Sequence, residues 1–503
     1  MSLAVVFARA SLGINAPLVT VEAHLANGLP AFNIVGLPEI TVKEARDRVR
    51  SALLNAGFEF PAKRITVNLA PADLPKEGGR FDLPIAIAVL AASGQIPAQS
   101  LEQLEFLGEL ALTGELRSIK GALPAVLAAR EAGRQLILPA GNEAESGLIH
   151  PTPARIAPHL LAITGWLHQQ GDLPTPTPTA HHHQPQDGCL SDVIGQESGK
   201  RALEITAAGE HNLLLLGPPG TGKSMLASRL PGLLPPMSER EALEAAAIRS
   251  ISGQGLDPHD WRRRAFRQPH HSASAVALVG GGSYPRPGEI SLAHNGVLFL
   301  DEMTEFERRV LDALREPLET GIVSISRAAH RVTFPAHFQL IGAMNPSPCG
   351  HYGDGMSRSS SEQILRYLGK VSGPFLDRFD LSVEIPLLPP GALSRPRPKS
   401  ESTATVRERV LAARTRQLAR AGKTNGRLNS SELDKLCPLK RDDAAFLELA
   451  LNRMQLSIRA WHKLIRVART IADLEGEQEI ARAHLIEALG YRAMDRLLRE
   501  LQG

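Results

Sequence analysis

Residues Gly217-Pro-Pro-Gly-Thr-Gly-Lys-Ser224 have the types and spacing of a phosphate-binding loop, matching G-x-x-x-x-G-K-[ST] at every fixed position. Gly217, Gly220 and Gly222 let the backbone wrap a polyphosphate, with Pro218, Pro219 and Thr221 at the variable positions. Amide N–H groups at the start of a following helix then point at the anion. Lys223 would reach the β- and γ-phosphates, and Ser224 would ligate Mg²⁺. A second run, Val297-Leu-Phe-Leu-Asp-Glu302, ends an apolar stretch in paired carboxylates. In a buried strand ending beside the phosphate site, Asp301 would hold Mg²⁺ and Glu302 would polarise the attacking water. Asn345 closes a third apolar run, Phe338 to Asn345, where a polar side chain can orient that water. Arg378 lies in Ser372-Gly-Pro-Phe-Leu-Asp-Arg-Phe-Asp380. Alone it reads as a salt-bridged surface arginine; with the other parts it reads as an arginine finger serving a neighbour's nucleotide.

These groups need a scaffold. Leu213 to Leu216 has the length and bounds of a buried strand, and Met225 to Leu230 can continue as a helix. The segment Asp192-Val-Ile-Gly-Gln196 opens this unit, and a helix is expected over 198–208. Ahead of it, residues 1–168 alternate short apolar strands (Ala4–Phe7, Leu18–Glu22, Arg64–Asn68) with helical patterns over 41–56 and 83–92, which predicts an α/β domain. The proline-, threonine- and histidine-rich residues 169–188 read as an extended linker, with His181, His182 and His183 solvated. The ATP-site unit spans 189–390, and a proline-rich loop over 386–403 leads out of it. Residues 391–503 are helical in pattern. Within them Ile458, Trp461, Leu464, Ile465 and Ala468 form an apolar stripe. The fold class is α/β with a helical C-terminal domain.

Bulk composition excludes several classes. Hydrophobic content of 43% with 22% charged residues is ordinary for a globular protein. A net charge of +3 leaves no global basic excess, so any nucleic-acid surface must be local. Aromatics at 4% argue against base stacking as the main binding mode. Cys189, Cys349 and Cys437 are too few and too scattered for a disulfide framework and fit a reducing cytoplasm. Neither a signal peptide nor a membrane span is evident, so a cytoplasmic location is expected.

The order of phosphate loop, carboxylate pair, Asn345 and Leu376-Asp-Arg-Phe379 resembles an AAA+ ATPase, which implies ATP and Mg²⁺ as cofactors. The runs Phe266–Ser272 and Leu278–His294 look like the helix-2 insertion of the magnesium-chelatase and replicative-helicase branch. Glu319–Pro335 looks like that branch's hairpin before sensor 1, with Ile322–Ser326 alternating as a strand and Arg327, His330 and Arg331 at or near the tip. In an assembled ring both insertions would face the pore, and the basic tip would suit sequence-independent contact with DNA phosphates. The resemblance makes Arg459 sensor 2, an arginine touching a γ-phosphate of its own or a neighbouring subunit; its plain reading is a solvated basic face.

The N-terminal runs Pro75–Pro84, Gly108–Lys120 and Leu136–Asn142 resemble the protease domain of the Lon family. That resemblance puts Arg80 where Lon has its serine and Lys120 where it has its lysine, which implies a Lon-like fold without peptidase activity. Taken whole, the chain resembles the bacterial ComM/YifB family. The resemblance implies a homo-oligomeric, hexameric ring that drives DNA branch migration on single-stranded or branched DNA during natural transformation, working beside recombination proteins and without a membrane. The alternative is a magnesium-chelatase-like ATPase subunit driving metal insertion or remodelling a protein partner; the extra Lon-like domain argues against it. One departure stands out. The family commonly carries Cys-Pro-Cys-Gly after sensor 1 and a later Cys-x-Cys, whereas this chain has Ser347-Pro-Cys-Gly350 and Ser357-Arg-Ser359. A four-thiolate zinc site cannot form.

Overall fold

Alternation builds the first sheet. In this computed structural model the described residues are 3–36, 42, 44–178, 188–257, 260–282, 285–326, 331–352, 358–391 and 400–502. Strands Leu3–Arg9, Leu18–Ala26 and Arg64–Ala70 pair antiparallel, and Val6, Val21 and Leu69 share one cross-strand row, all fully buried. Four further strands complete seven, in the order 31–35, 64–70, 18–26, 3–9, 104–106, 135–139, 154–157. The inward residues meet helix Asp82–Ala92, which is buried along its whole length. The sequence reading of an α/β unit therefore holds. The linker, however, begins later than expected: Leu173 is buried in the first core, and Pro174 O accepts from Ile156 N at 3.0 Å. His181, His182 and His183 lie outside the described residues.

The second sheet is parallel throughout, ordered 266–267, 296–300, 338–344, 213–216, 381–384. Leu213–Leu216 is apolar at every position because both of its faces are covered. Helix Glu197–Gly209 precedes this strand, and a short helix, Lys223–Ala227, follows the loop. Two small hairpins project from the sheet: Gly280–Gly281 with Arg286–Pro287, and Ile322–Ser326 with Arg331–Pro335. They share an apolar cluster of Leu278, Ile290, Val323, Ile325, Val332 and Phe334.

The C-terminal helices wrap the ATPase unit and share its core. Thr403–Ala421 and Ile458–Glu475 pack on Glu197–Gly209, placing Val410, Ala413, Leu464 and Ala468 in one cluster with Leu213 and Leu215. The last helix, Ala493–Gln502, returns to the edge strand Leu381–Glu384, where Ser382 N donates to Tyr491 O at 2.9 Å and Ser382 Oγ accepts from Met494 N at 3.0 Å. Among the described residues no helix is long and apolar enough to cross a membrane.

Helix Ile458–Glu475 is pinned at its C-terminal half by buried charge. Asp473, 1% exposed, meets Arg469 at 3.0 Å and Arg420 at 2.6 Å, and accepts from Asn425 Nδ2 at 2.8 Å. Removing the carboxylate leaves facing guanidinium groups without a counter-charge. Asp473→Ala should therefore cost about 3–5 kcal/mol, read as a fall in the urea midpoint of the ATPase-plus-helical unit.

Candidate nucleotide site and its surroundings

Strand order places the chemistry. Leu216 pairs with Met344, and Leu300 pairs with Gly342, so Gly217, Asp301 and Asn345 emerge at the same edge of the sheet. Gly217 is pressed against the neighbouring strand end, where a Cβ would stand 2.2 Å from Ile385 O. Gly220 and Gly222 have φ of +77° and +88°, and a Cβ at either would meet nothing within 4 Å. The loop is thus held from behind by sterics and left open in front, as a cradle for phosphate must be.

The side chains fit the same purpose. Lys223 is buried, and its Nζ donates to Gly217 O at 2.7 Å, Pro218 O at 2.8 Å and Asn345 Oδ1 at 3.2 Å. These acceptors are neutral, so a phosphate oxygen is the stronger partner for that ammonium. Burial lowers the Lys223 pKa, opposed by the charges of Asp301 and Glu302. Ser224 Oγ donates to Asp301 Oδ2 at 2.6 Å, which sets the hydroxyl and carboxylate together as a Mg²⁺ site requires. Mg²⁺ held there supplies charge neutralisation for the phosphates. Thr221 Oγ1 donates to Pro218 O at 3.0 Å and stiffens the loop.

Glu302 sits at φ +50°, a left-handed conformation costly for a residue with a side chain and a frequent mark of functional positions. Its carboxylate lies 3.3 Å from His271 Nδ1, while its own N–H donates to Asp301 Oδ1 at 3.0 Å. His271 is a site residue that sequence reasoning missed. The run Phe266–Ser272 marked an insertion, but only the fold shows that it carries a histidine to the Glu302 carboxylate. Gln196 is a second: its Nε2 donates to Thr221 O at 3.2 Å and Pro386 O at 2.8 Å, tying the segment before the helix to the loop and to the last strand.

The two expected arginines lie elsewhere. Leu213 pairs with Leu381, and Asp380 N donates to Asn212 O, so the segment carrying Arg378 enters at the end of the loop strand remote from the phosphate loop. That strand alone spans about 13 Å. Arg378 pairs there with Glu319. Arg459, 76% exposed at its side chain, stands 3.9 Å from Asp377, and Lys463 Nζ donates to the Asp377 and Phe379 carbonyls. Asp377, next to Arg378 in the chain, thus brings Arg459 to the same end of the strand, apart from Lys223 and Glu302. Arg331 is exposed at the distal end of its hairpin, whereas Arg327 and His330 lie outside the described residues.

Local hydrogen bonds hold the turn after Asn345. Ser347, fully buried, donates its hydroxyl to His351 O at 2.8 Å and stands 3.1 Å from Cys349 Sγ. The turn packs on the phosphate loop, where a Cβ at Gly350 would come 2.7 Å from Pro219 Cδ. Hydrogen bonding, from Ser347 first, holds the Cys349 thiol down at about 6.

A parallel sheet carrying this loop, this carboxylate pair and the intervening Asn345 strand defines an AAA ATPase domain. The profile described as "Magnesium chelatase, subunit ChlI" matches residues 189–393; "Subunit ChlI of Mg-chelatase" matches 21–142, and "Magnesium chelatase, subunit ChlI C-terminal" matches 400–492. The chain is 59% identical to the competence protein ComM of Haemophilus influenzae, covering 100% of this chain and 99% of that protein. It is also 59% identical to the uncharacterized protein YifB of Escherichia coli, with the same coverage. Similarity to the magnesium-chelatase 38 kDa subunit of Rhodobacter capsulatus is 27%, over 62% of this chain and 88% of that subunit. The chain belongs to the ComM/YifB family.

Variants separate the roles of the site. Lys223→Ala should abolish ATP binding in equilibrium titration. Glu302→Gln should bind ATP normally and lose turnover by a factor of at least about 100. His271→Ala should leave ATP affinity unchanged while altering turnover, because the imidazole touches the carboxylate and not the loop.

Proposed function

We propose that the chain is one subunit of an ATP-driven ring in which each ATP site is built by two neighbours and the ring moves DNA. The observation that carries this reading is the separation of the two half-sites. Lys223, Ser224, Asp301, Glu302 and Asn345 gather at one edge of the sheet, while Arg378 and Arg459 gather at the other end of the loop strand. Stacking one copy on the next brings the arginine cluster of one to the phosphate edge of the other. Hydrolysis then proceeds with Glu302 polarising a water, Asn345 orienting it, and a neighbour's arginines stabilising the charge that develops on the phosphoryl oxygens.

DNA as the moved substrate draws support from the competence protein among the relatives and from the exposed Arg331 on a projecting hairpin. Within this reading the ring is hexameric, extends recombination joints by branch migration in natural transformation, and has an N-terminal domain without peptidase activity. The chelatase names of the matching profiles favour a second reading, an ATPase that drives metal insertion or remodels a protein partner. Against it, more than a third of this chain lies outside the alignment with the chelatase subunit.

Two measurements decide. Single-stranded or branched DNA should raise ATP turnover severalfold, with the effect fading as salt rises; turnover indifferent to DNA would leave the chelatase-like reading standing. Arg378→Ala and Lys223→Ala should each be inactive alone, yet mixing them should restore part of the activity, since some interfaces then pair an intact loop with an intact arginine. No recovery on mixing would rule out a shared site.

A further inference from the structure

Arg80, which the Lon resemblance sets at the serine's position, carries a guanidinium in a residue 8% exposed to solvent. Burial lowers its pKa to about 10, opposed by the charge of Glu77. Its hydrogen bonds go to the backbone: Nη2 donates to Lys120 O, and Nη1 donates to Arg9 O at 3.4 Å. A buried cation kept for two carbonyls is costly unless those carbonyls need holding together.

Each carbonyl opens a segment that docks on the ATPase unit. After Arg9 comes the loop 10–17, closed by Leu12 and Asn15, which bond each other's backbone at 3.0 and 3.1 Å. Arg9 braces this loop: its side chain holds buried Glu105 with two 2.7 Å bonds and donates Nη1 to Ala16 O at 2.9 Å. Leu12 and Ile14 pack on the cluster inside the hairpin 322–335, and a Cβ at Gly13 would stand 2.9 Å from Val332 Cγ1. The first segment thus rests on the pre-sensor hairpin.

After Lys120 comes Gly121, whose N–H donates to Ser250 O at 3.0 Å, the last turn of helix Glu239–Ser252. Ser250 Oγ donates to Glu145 Oε2 at 2.6 Å, and Leu123 N donates to both Glu145 Oε2, at 3.3 Å, and Ser250 Oγ, at 3.4 Å. The Lys120 side chain lies over Gly253, and Ala246 of that helix joins the N-terminal core. The opposite side of the helix supports the other insertion, with Glu244 Oε2 3.3 Å from His294 Nε2 and Glu241 O accepting from Asn295 Nδ2 at 3.3 Å. The segments meet at Gly121, φ +70°, where a Cβ would come within 3.4 Å of Arg80 Nη2 and 3.7 Å of both Ile251 and Ser11.

We infer that Arg80 is a tie bar: it locks the segment that rests on the hairpin to the segment that rests on the insertion-bearing helix, so that the N-terminal domain and both projecting insertions move as one body. Arg80 is a positioning residue in this scheme and touches no reacting atom.

Hydrogen exchange on the full chain tests it, with Arg80→Met and Ser250→Ala against the parent. Removing the tie should speed amide exchange roughly tenfold in 10–17, 239–253 and 331–335, leaving helix Asp82–Ala92 as protected as before. Ser250→Ala should show the same pattern in 239–253. Basal ATP turnover should be unchanged in both, and its stimulation by DNA should fall. Faster exchange throughout residues 64–92 would make Arg80 an ordinary core residue and overturn the joint; unchanged exchange in all three segments would overturn it too. If Arg80→Met does not fold, Arg80→Lys, whose single ammonium replaces the two-armed guanidinium, is read in its place by the same criteria. This scheme rests on the DNA-motor reading only for the stimulation measurement: a parent that DNA does not stimulate counts against that reading, while the exchange pattern still judges the joint.

Discussion

The parallel pairing of Leu213–Leu216 between Phe338–Met344 and Leu381–Glu384 is the constraint on which the rest depends. A parallel ladder sends all strand ends of one kind to one edge. It therefore delivers Gly217, Asp301 and Asn345 together and, by the same geometry, keeps Arg378 at the opposite end. Neither placement needs a special contact. A short strand lies between the two groups, and only in the proposed ring would they meet, each supplied by a different chain.

The residues gathered at the candidate nucleotide site were legible in the sequence because their pattern is local. A glycine-spaced loop with Lys223 and Ser224, and a carboxylate pair ending an apolar run, each carry their meaning in a few consecutive positions. The fold class was legible for a similar reason, since strands such as Leu18–Ala26 alternate and Leu213–Leu216 does not. His271, Glu319 and Gln196 were not, because their partners stand 31, 59 and 25 positions away and no local pattern joins them. The C-terminal boundary was also beyond reach. Ala493–Gln502 is an amphipathic helix like its neighbours, and nothing in its pattern says that its apolar side covers an ATPase strand.

Buried charge in this molecule has a consistent use. Arg9 with Glu105, and Arg420 with Asp473, sit where segments distant in sequence must be held at a fixed angle. An apolar contact of equal area would tolerate sliding; a bidentate pair does not. Such groups suit a protein whose parts must transmit displacement, and they stand beside the insertions and the helix that bears Arg459.

The strand order also has a consequence for synthesis. Leu213–Leu216 leaves the ribosome more than a hundred residues before either of its partner strands, Phe338–Met344 and Leu381–Glu384, has been made. At roughly 5–20 residues per second that is a wait on the order of ten seconds. Through it a run of four leucines has no ladder to join and an apolar surface to hide. The nascent chain is therefore most exposed to misassociation in the interval before residue 384 emerges, whereas the seven strands of the first sheet are all made by residue 157.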